Sequence, residues 1–200
     1  MWHRFFRGVP HVSAQKEIVI EKYNLEWPLV FQGLKQKIWP NISDIANAVE
    51  HIGSTAVPGL AAKPVIDIVI VIDSTEALPD IISRLEKMGY SHEGIKGIEG
   101  REAFKIPEDT PAHHLYVCQK SATSFKNHIL LRDYLRKNPE AVREYGALKT
   151  RLAEKFKDDR DGYTEAKTPF ITNILAEAGI QKSDLESIRH QNVSPRSPKT

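Results

Sequence analysis

The segment from Pro64 to Ile72, PVIDIVIVI, constrains the fold of this chain more than any other. After the initial proline it is a run of β-branched apolar side chains interrupted once, which is typical of a central strand covered on both faces. The interruption is Asp67, and burying a carboxylate costs free energy unless a metal ion, a cation or several N–H groups compensate it. The sequence therefore predicts a central strand that carries a functional carboxylate.

A turn of small residues, Gly53-Ser54-Thr55, precedes this strand and follows another predicted strand, ANAVEHI. Its closely spaced N–H groups and two hydroxyls can form a seat for phosphate. It is not a Walker loop, because Lys63-Pro64 leads into a strand and not into a helix. A tight turn without a ligand is the simpler interpretation of Gly53-Ser54 alone. With Asp67 on the next strand, the pattern instead favours a phosphate seat beside a Mg²⁺ ligand, because Mg²⁺ is commonly held by one or two carboxylates and substrate phosphates.

The other patterns predict strands and helices in a mixed order. Apolar residues at three- and four-residue steps predict a helix from Trp27 to Ile38 and another within STEALPDIISRLEKMGY. Short strands are predicted at Ile18–Ile20, REAFKI and AHHLYVC, and the Gly-rich SHEGIKGIEG is predicted to be a loop. Three amphipathic helices follow Ser124. This order favours an α+β fold, a mixed β-sheet with flanking helices and a C-terminal helical segment.

Composition predicts the setting and the division of the chain. We expect a flexible N-terminal segment, an α/β core, helices packed on that core and a disordered tail, at residues 1–15, 16–124, 125–180 and 181–200. The single Cys118 cannot form an internal disulfide, which favours a reducing, cytoplasmic setting. No apolar run is long enough for a signal peptide or a membrane span. The net charge of +2 does not favour nucleic acid as a partner, and the oligomeric state is left open.

Four stretches of the chain together resemble a known family. EHIGSTAVPGLAAKPVIDI, HHLYV, LLRDYLRKNPEAVREYGALKTRLAEKF and DRDGYTEAKTPFI look like the GrpB family, and the resemblance runs from Ile18 to Ala178. The layout also resembles the polymerase-beta-like nucleotidyltransferase superfamily, whose signature is a Gly-Gly or Gly-Ser turn followed by Asp-hydrophobic-Asp/Glu on a strand. The resemblance implies a nucleotidyltransferase-like fold. In some organisms the family is fused to dephospho-coenzyme A kinase.

The residues and the resemblance together predict a nucleotide site with Mg²⁺ on Asp67. Residues of the turn and two cations would contact the phosphates of a nucleoside triphosphate: Gly53, Ser54, Thr55, Lys63 and Arg132. His114 is predicted to be catalytic, as a general base or a substitute metal ligand. Simpler interpretations stay open, namely a solvated loop for Lys63, an ion pair for Arg132 and an ordinary strand residue for His114.

The chain departs from the superfamily pattern at Val69, where a second carboxylate is expected. Two-metal phosphoryl transfer uses several carboxylates, so Asp67 alone would hold the one Mg²⁺ that arrives with a nucleotide. Tyr116 stands where a typical family member has His. Tyr163 and Lys167, four residues apart, are predicted to be a packed ring and a surface cation. Two functions stay open: nucleotidyl transfer from a nucleoside triphosphate to an unknown small acceptor, and a nucleotide- or coenzyme-binding module without transfer activity.

Overall fold

A mixed five-stranded sheet in the order β1-β2-β5-β4-β3 organises this protein, whose computed structural model describes residues 17–182, 185–186 and 188–189. The strands are β1 Ala48–Ile52, β2 Ile66–Ile72, β3 Ser91–Gly94, β4 Arg101–Lys105 and β5 His113–Gln119. β2 pairs antiparallel with β1 and parallel with β5, so the strand that carries Asp67 lies inside the sheet as predicted. The expectations for residues 1–15 and for most of the tail lie outside the described residues.

Five α-helices flank the sheet. They are α1 Trp27–Ile38, α2 Leu78–Lys87, α3 Thr123–Lys137, α4 Pro139–Lys155 and α5 Arg160–Glu177. The first turns of α1, α2 and α4 each contain a proline, whose missing N–H would have no partner there in any case. The predicted helices are confirmed, and the α+β class with them. None of the described helices is long and apolar enough to cross a membrane.

The two faces of β2 pack against different helices. The isoleucines at 66, 68, 70 and 72 lie in the core cluster that includes side chains of α1 and α2. Val69 and Val71 point to the opposite face, where they pack with Phe125 and Ile129 of α3. Asp67 shares the face of Val69, but it lies near the first end of the strand and stays partly exposed. α3 therefore seals position 69 and leaves position 67 accessible.

The three C-terminal helices are attached to the segment that follows the turn at Ser54. Val57 and Leu60 of that segment are fully buried in a second apolar cluster with residues from all three helices: Leu135, Val142, Tyr145 and Ile174. This packing brings α4 and α5 beside the end of the sheet where Asp67 lies.

Two local predictions were wrong. Ser91–Gly94 lies in the predicted loop but forms β3, an edge strand with mostly exposed side chains that carries no apolar alternation to reveal it. Ile18–Ile20 does not form a regular strand. The backbone N–H of Ile18 donates to Lys157 O at 2.8 Å, and Glu21 makes an isolated bridge with Ala62. The segment therefore contacts the residues just after α4 and the loop before β2, and it does not pair with a strand of the sheet.

Candidate functional site

Asp67 and His114 form a hydrogen-bonded pair at the edge of a cleft. They are register partners on the parallel strands β2 and β5, and His114 Nδ1 lies 2.8 Å from Asp67 Oδ1. Burial is the largest influence on the pKa of Asp67 and raises it, but the hydrogen bond from His114 and the charges of His114, His128 and His51 together outweigh burial and hold the pKa below its ordinary value. Because an ionised carboxylate only accepts, Nδ1 of His114 carries the shared hydrogen. The Asp67 side chain keeps 29% exposure, so the carboxylate can still meet a ligand.

Gly53 lies directly against the Asp67 carboxylate. Its φ is +70°, and a Cβ built on it would lie 2.2 Å from Asp67 Oδ2. Only glycine combines this backbone conformation with so close an approach. The Gly-Ser turn and the strand carboxylate, which the sequence linked only by spacing, are therefore in contact.

The next residues of the turn are fixed by a buried histidine. His51 Nε2 lies 3.0 Å from Thr55 Oγ1, and that hydroxyl lies 3.4 Å from Val65 O. The His51 ring stacks on Phe31 at 4.7 Å, and burial lowers its pKa to about 4. Both Ser54 and Thr55 line the cleft, but the Thr55 hydroxyl is held by the fold, whereas Ser54 is the more exposed of the two.

The cleft has a volume of about 190 Å³ and carries a strong excess of positive charge. Its lining contains one carboxylate, that of Asp67, and four cations: Lys63, Lys149, Arg160 and Lys167. In the part of the chain that the structure describes, none of the four lies within ion-pair distance of a carboxylate. Such a lining is electrostatically unfavourable until an anion enters it.

Lys149 of α4 is the most buried of these cations, with 2% exposure. Its Nζ lies 2.9 Å from Ser54 Oγ and 4.6 Å from the ring centre of Tyr145. Burial, then the charge of Lys167, lower the pKa of Lys149 to about 7. Sequence reasoning missed this residue, although a signal existed. Lys149 stands on the buried stripe of α4, in line with Tyr145 and Ala153, where an apolar side chain is the norm.

Lys63 and Lys167 flank a buried tyrosine. Each Nζ lies 5.0 Å from the ring centre of Tyr163. The face of this ring attracts both ammonium groups and holds them near each other. Burial, helped by the charges of Arg160 and Lys167, lowers the pKa of Lys63 to about 8, and burial also lowers the pKa of Lys167. Lys167 therefore lines the cleft and is not the surface cation that its helical spacing suggested. Arg160, exposed at the start of α5, had no local signal in the sequence.

Arg132 does not line the cleft. Its guanidinium lies 2.8 Å from both Glu50 and Asp133 and donates to His51 O at 3.0 Å. Arg136, one turn later on α3, donates twice to Ala56 O, at 3.0 and 2.8 Å. The ion-pair interpretation of Arg132 agrees with these contacts, and its contact with phosphate stays a prediction.

The position of the missing second carboxylate is apolar and closed. Val69 has no exposure and lies among Ile52, Val71 and Cys118. Its register partner Tyr116 is half-buried, and the Arg101 guanidinium lies over its ring, 4.4 Å from the ring centre. Among the residues that the structure describes, no group of three or more His, Cys, Asp or Glu side chains could hold a metal ion. The donor set fits one ion that arrives with a phosphate ligand, because Asp67 is a single accessible carboxylate beside a cationic cleft.

Known proteins are similar to this chain in sequence and in fold. The UPF0157 protein YqkA of Bacillus subtilis is 32% identical over 164 residues, which are 82% of this chain and 48% of that protein, so the chain spans about half of its length. The crystal structure of the conserved protein GrpB from Enterococcus faecalis is matched with a TM-score of 0.72 and 34% identity, over 80% of this chain and 96% of that one.

A second solved structure gives a weaker match. Terminal uridylyl transferase 4 from Trypanosoma brucei, solved with bound UTP, is matched with a TM-score of 0.46 and 14% identity, over 89% of this chain and 60% of that one. The family described as "GrpB protein" matches residues 17–177. The chain belongs to the GrpB family.

Proposed function

We propose that the cleft binds the phosphate chain of a nucleoside triphosphate and that the protein transfers the nucleotidyl group to a small acceptor. One observation carries the first part: the cations Lys63, Arg160 and Lys167, with the partly neutral Lys149 beside them, face a single carboxylate around the cleft. A monoanion would leave most of that charge uncompensated, whereas a triphosphate carries several charges on one short chain. Polyanionic ligands are the class that such a lining favours.

The size of the cleft fits the phosphates and not a whole nucleotide. Its volume of about 190 Å³ is below the roughly 300–1,000 Å³ of pockets that enclose drug-sized ligands. We therefore assign the cleft to the phosphate chain, with the base and ribose outside it. Lys63, Lys167 and Arg160 would neutralise the phosphate oxygens, and the Ser54 hydroxyl would hydrogen-bond to them.

Asp67 would hold one Mg²⁺ together with the phosphates of the nucleotide, an arrangement that Mg²⁺ commonly adopts. Bound there, the ion would neutralise charge on the phosphate that is transferred. The chain itself fixes the carboxylate from two sides, through the hydrogen bond from His114 and the contact with Gly53. His114 stays a predicted catalytic residue, and in this arrangement its direct contribution is to orient Asp67.

Nucleotidyl transfer depends mainly on positioning and on electrostatic stabilisation of the transferred group, which this cleft can provide with few chemical groups. The buried Val69 favours a second candidate, a nucleotide- or coenzyme-binding module of the same cleft without transfer activity. Release of pyrophosphate from a bound nucleoside triphosphate distinguishes the two, because a binding module releases none.

The proposed site is tested by thermal unfolding with ATP, CTP, GTP or UTP, each with and without Mg²⁺. A ligand at 100 times its dissociation constant adds about 2.7 kcal/mol to the free energy of unfolding. We expect one nucleotide to stabilise the wild type with Mg²⁺, and Asp67→Asn to lose the effect of the ion. Asp73→Asn is the matched control, since Asp73 follows the same strand but binds Asn47 away from the cleft. Equal stabilisation of wild type and Asp67→Asn by the Mg²⁺ nucleotide would contradict the assignment.

A further inference from the structure

Ser54 and Lys149 form a hydroxyl–amine pair that phosphate binding alone does not require. Lys149 Nζ lies 2.9 Å from Ser54 Oγ, across the contact between α4 and the turn. Lys149 is 2% exposed, while Ser54 is half-buried and lines the cleft. The hydroxyl is thus open to a ligand in the cleft, and the amine that touches it is shielded from water. A nucleophile within hydrogen-bond reach of a base is the usual arrangement of covalent catalysis.

The surroundings of Lys149 disfavour its charged form. The Tyr145 ring covers it from the same helix, Lys167 faces it from α5, and Asp67 faces it from β2. Burial and the Lys167 charge outweigh the attraction of Asp67, and the pKa of Lys149 is lowered to about 7. Near neutral pH a large fraction of the amine is therefore neutral and has a lone pair that can accept the Ser54 hydrogen.

We propose that Ser54 is a nucleophile with Lys149 as its general base, and that it accepts the nucleotidyl group before the external acceptor does. Ser54 Oγ attacks the α-phosphorus of the bound nucleoside triphosphate, and the Oγ hydrogen passes to Lys149 Nζ. One Oγ–phosphorus bond forms, the bond between the α-phosphorus and the bridging oxygen breaks, and pyrophosphate leaves with that oxygen. This step rests on the proposed function, which supplies the nucleotide.

The pair would also compensate for the closed position at Val69. In two-metal phosphoryl transfer, one metal ion activates the attacking hydroxyl. Here the attacking hydroxyl would be that of Ser54, and Lys149 would take its hydrogen without a second ion. Thr55 cannot take this role, because it is 1% exposed and its hydroxyl already meets His51 and Val65.

The test follows α-³²P-labelled and γ-³²P-labelled nucleotide on the full chain with Mg²⁺, and each sample is read twice. Equilibrium dialysis first measures bound label, and denaturing electrophoresis then measures label that remains attached. We expect attached label from the α-labelled nucleotide only, with peptide mass spectrometry assigning it to Ser54. Bound label that all separates on denaturation would overturn the covalent step and leave the proposed ligand in place. No bound label in either readout would overturn both, and attached label from the γ-labelled nucleotide would overturn the bond to the α-phosphorus.

Variants separate a base from a cation that merely attracts phosphate. Ser54→Ala and Lys149→Met should both reduce attached label to background, whereas Lys155→Met, an exposed lysine on the same helix, should label like wild type. In the wild type the labelling rate should rise from pH 6 to pH 8, as Lys149 loses its proton. A phosphate-binding ammonium predicts the opposite trend. A labelling rate that falls over this range, or full labelling of Lys149→Met, would overturn the role of Lys149.

Discussion

The cations of α3 and those of α4 and α5 lie on either side of the same turn, but they are used differently. Arg132 and Arg136 of α3 have their partners within the fold: Glu50, Asp133 and the carbonyls of His51 and Ala56. Lys149 and Lys167, on α4 and α5, meet aromatic rings and a hydroxyl, and within the described residues no carboxylate pairs with them.

The difference separates charge that stabilises the fold from charge that a ligand would compensate. A cation with hydrogen-bonded partners adds to the free energy of unfolding, whereas a buried cation without a counter-charge lowers it. Clustering of cations of the second kind around one cleft is the pattern expected of a binding site. Sequence alone left Arg132 open between a phosphate contact and an ion pair, and it placed Lys167 at the surface. The contacts agree with the ion pair for Arg132, whereas Lys167 lines the cleft.

The largest expected effect is at Gly53, which lies between the two groups of cations. Gly53→Ala places a Cβ where Asp67 Oδ2 now lies, on a backbone with φ of +70°. We expect it to lower the free energy of unfolding by about 3 kcal/mol or more, from positive-φ strain and the displaced carboxylate together. Gly59→Ala is the control, because its φ is +79° but its Cβ would meet only Val142, at 3.9 Å. Urea denaturation should show that Gly59→Ala lowers the free energy of unfolding by about 1 kcal/mol. Equal losses for the two variants would show that the contact with Asp67 is unimportant.

The next effect is a pH dependence of stability that comes from the buried lysine of the cleft. The pKa of Lys149 is 10.5 ordinarily and about 7 in the fold, so between these values the unfolded chain binds more protons than the folded one. Stability should therefore rise with pH, with Lys149 contributing about 2 kcal/mol between pH 7 and 9. The rise in stability should end near pH 9. Burial raises the pKa of Cys118 in the folded state, so above pH 9 the thiol loses its proton more readily in the unfolded chain, which favours unfolding. Urea denaturation of Lys149→Met should show a smaller rise than Lys155→Met, and identical slopes would contradict the account.

The smallest effect concerns the free energy of unfolding, which should change in different directions when a cation of one group or of the other is removed. Arg132→Met should lower the free energy of unfolding by about 1 kcal/mol, since it leaves the carboxylates of Glu50 and Asp133 without their shared cation. Lys167→Met should leave it unchanged or raise it, since a cation near Arg160 is removed from a half-buried position. Thermal unfolding without nucleotide measures both. A loss of stability in Lys167→Met as large as that in Arg132→Met would abolish the distinction.

The sequence predicted the parts of the site that have strong local patterns. The β-branched run placed Asp67 on an interior strand, and the Gly-Ser turn was recognised by its small residues. Their contact could not be predicted, because it depends on how β1 and β2 pair and on a glycine conformation that spacing does not reveal. The partnership of Asp67 with His114 likewise depends on the parallel register between β2 and β5.

The cationic half of the cleft was harder to predict because it comes from helices far along the chain. Periodicity defines which face of a helix is buried, but not what that face meets. Lys149 was missed although it is a charged residue on an apolar stripe, whereas Arg160 and Lys167 carried no such mark. Arg132 looked equally suited to phosphate until its contacts with Glu50 and Asp133 were known.

Calorimetric titration of the nucleotide with Mg²⁺, using whichever nucleoside triphosphate stabilises the wild type most, tests phosphate binding by the cleft most directly. The samples are the wild type, the double variant Lys63→Met/Lys167→Met, and Arg132→Met, all at a temperature where each is folded. Loss of two charge-assisted contacts of about 1.4 kcal/mol each should weaken binding about 100-fold in the double variant. Arg132→Met should bind within about twofold of wild type, because its cation serves the fold. Unchanged binding in the double variant, or an equal loss in Arg132→Met, would contradict the account.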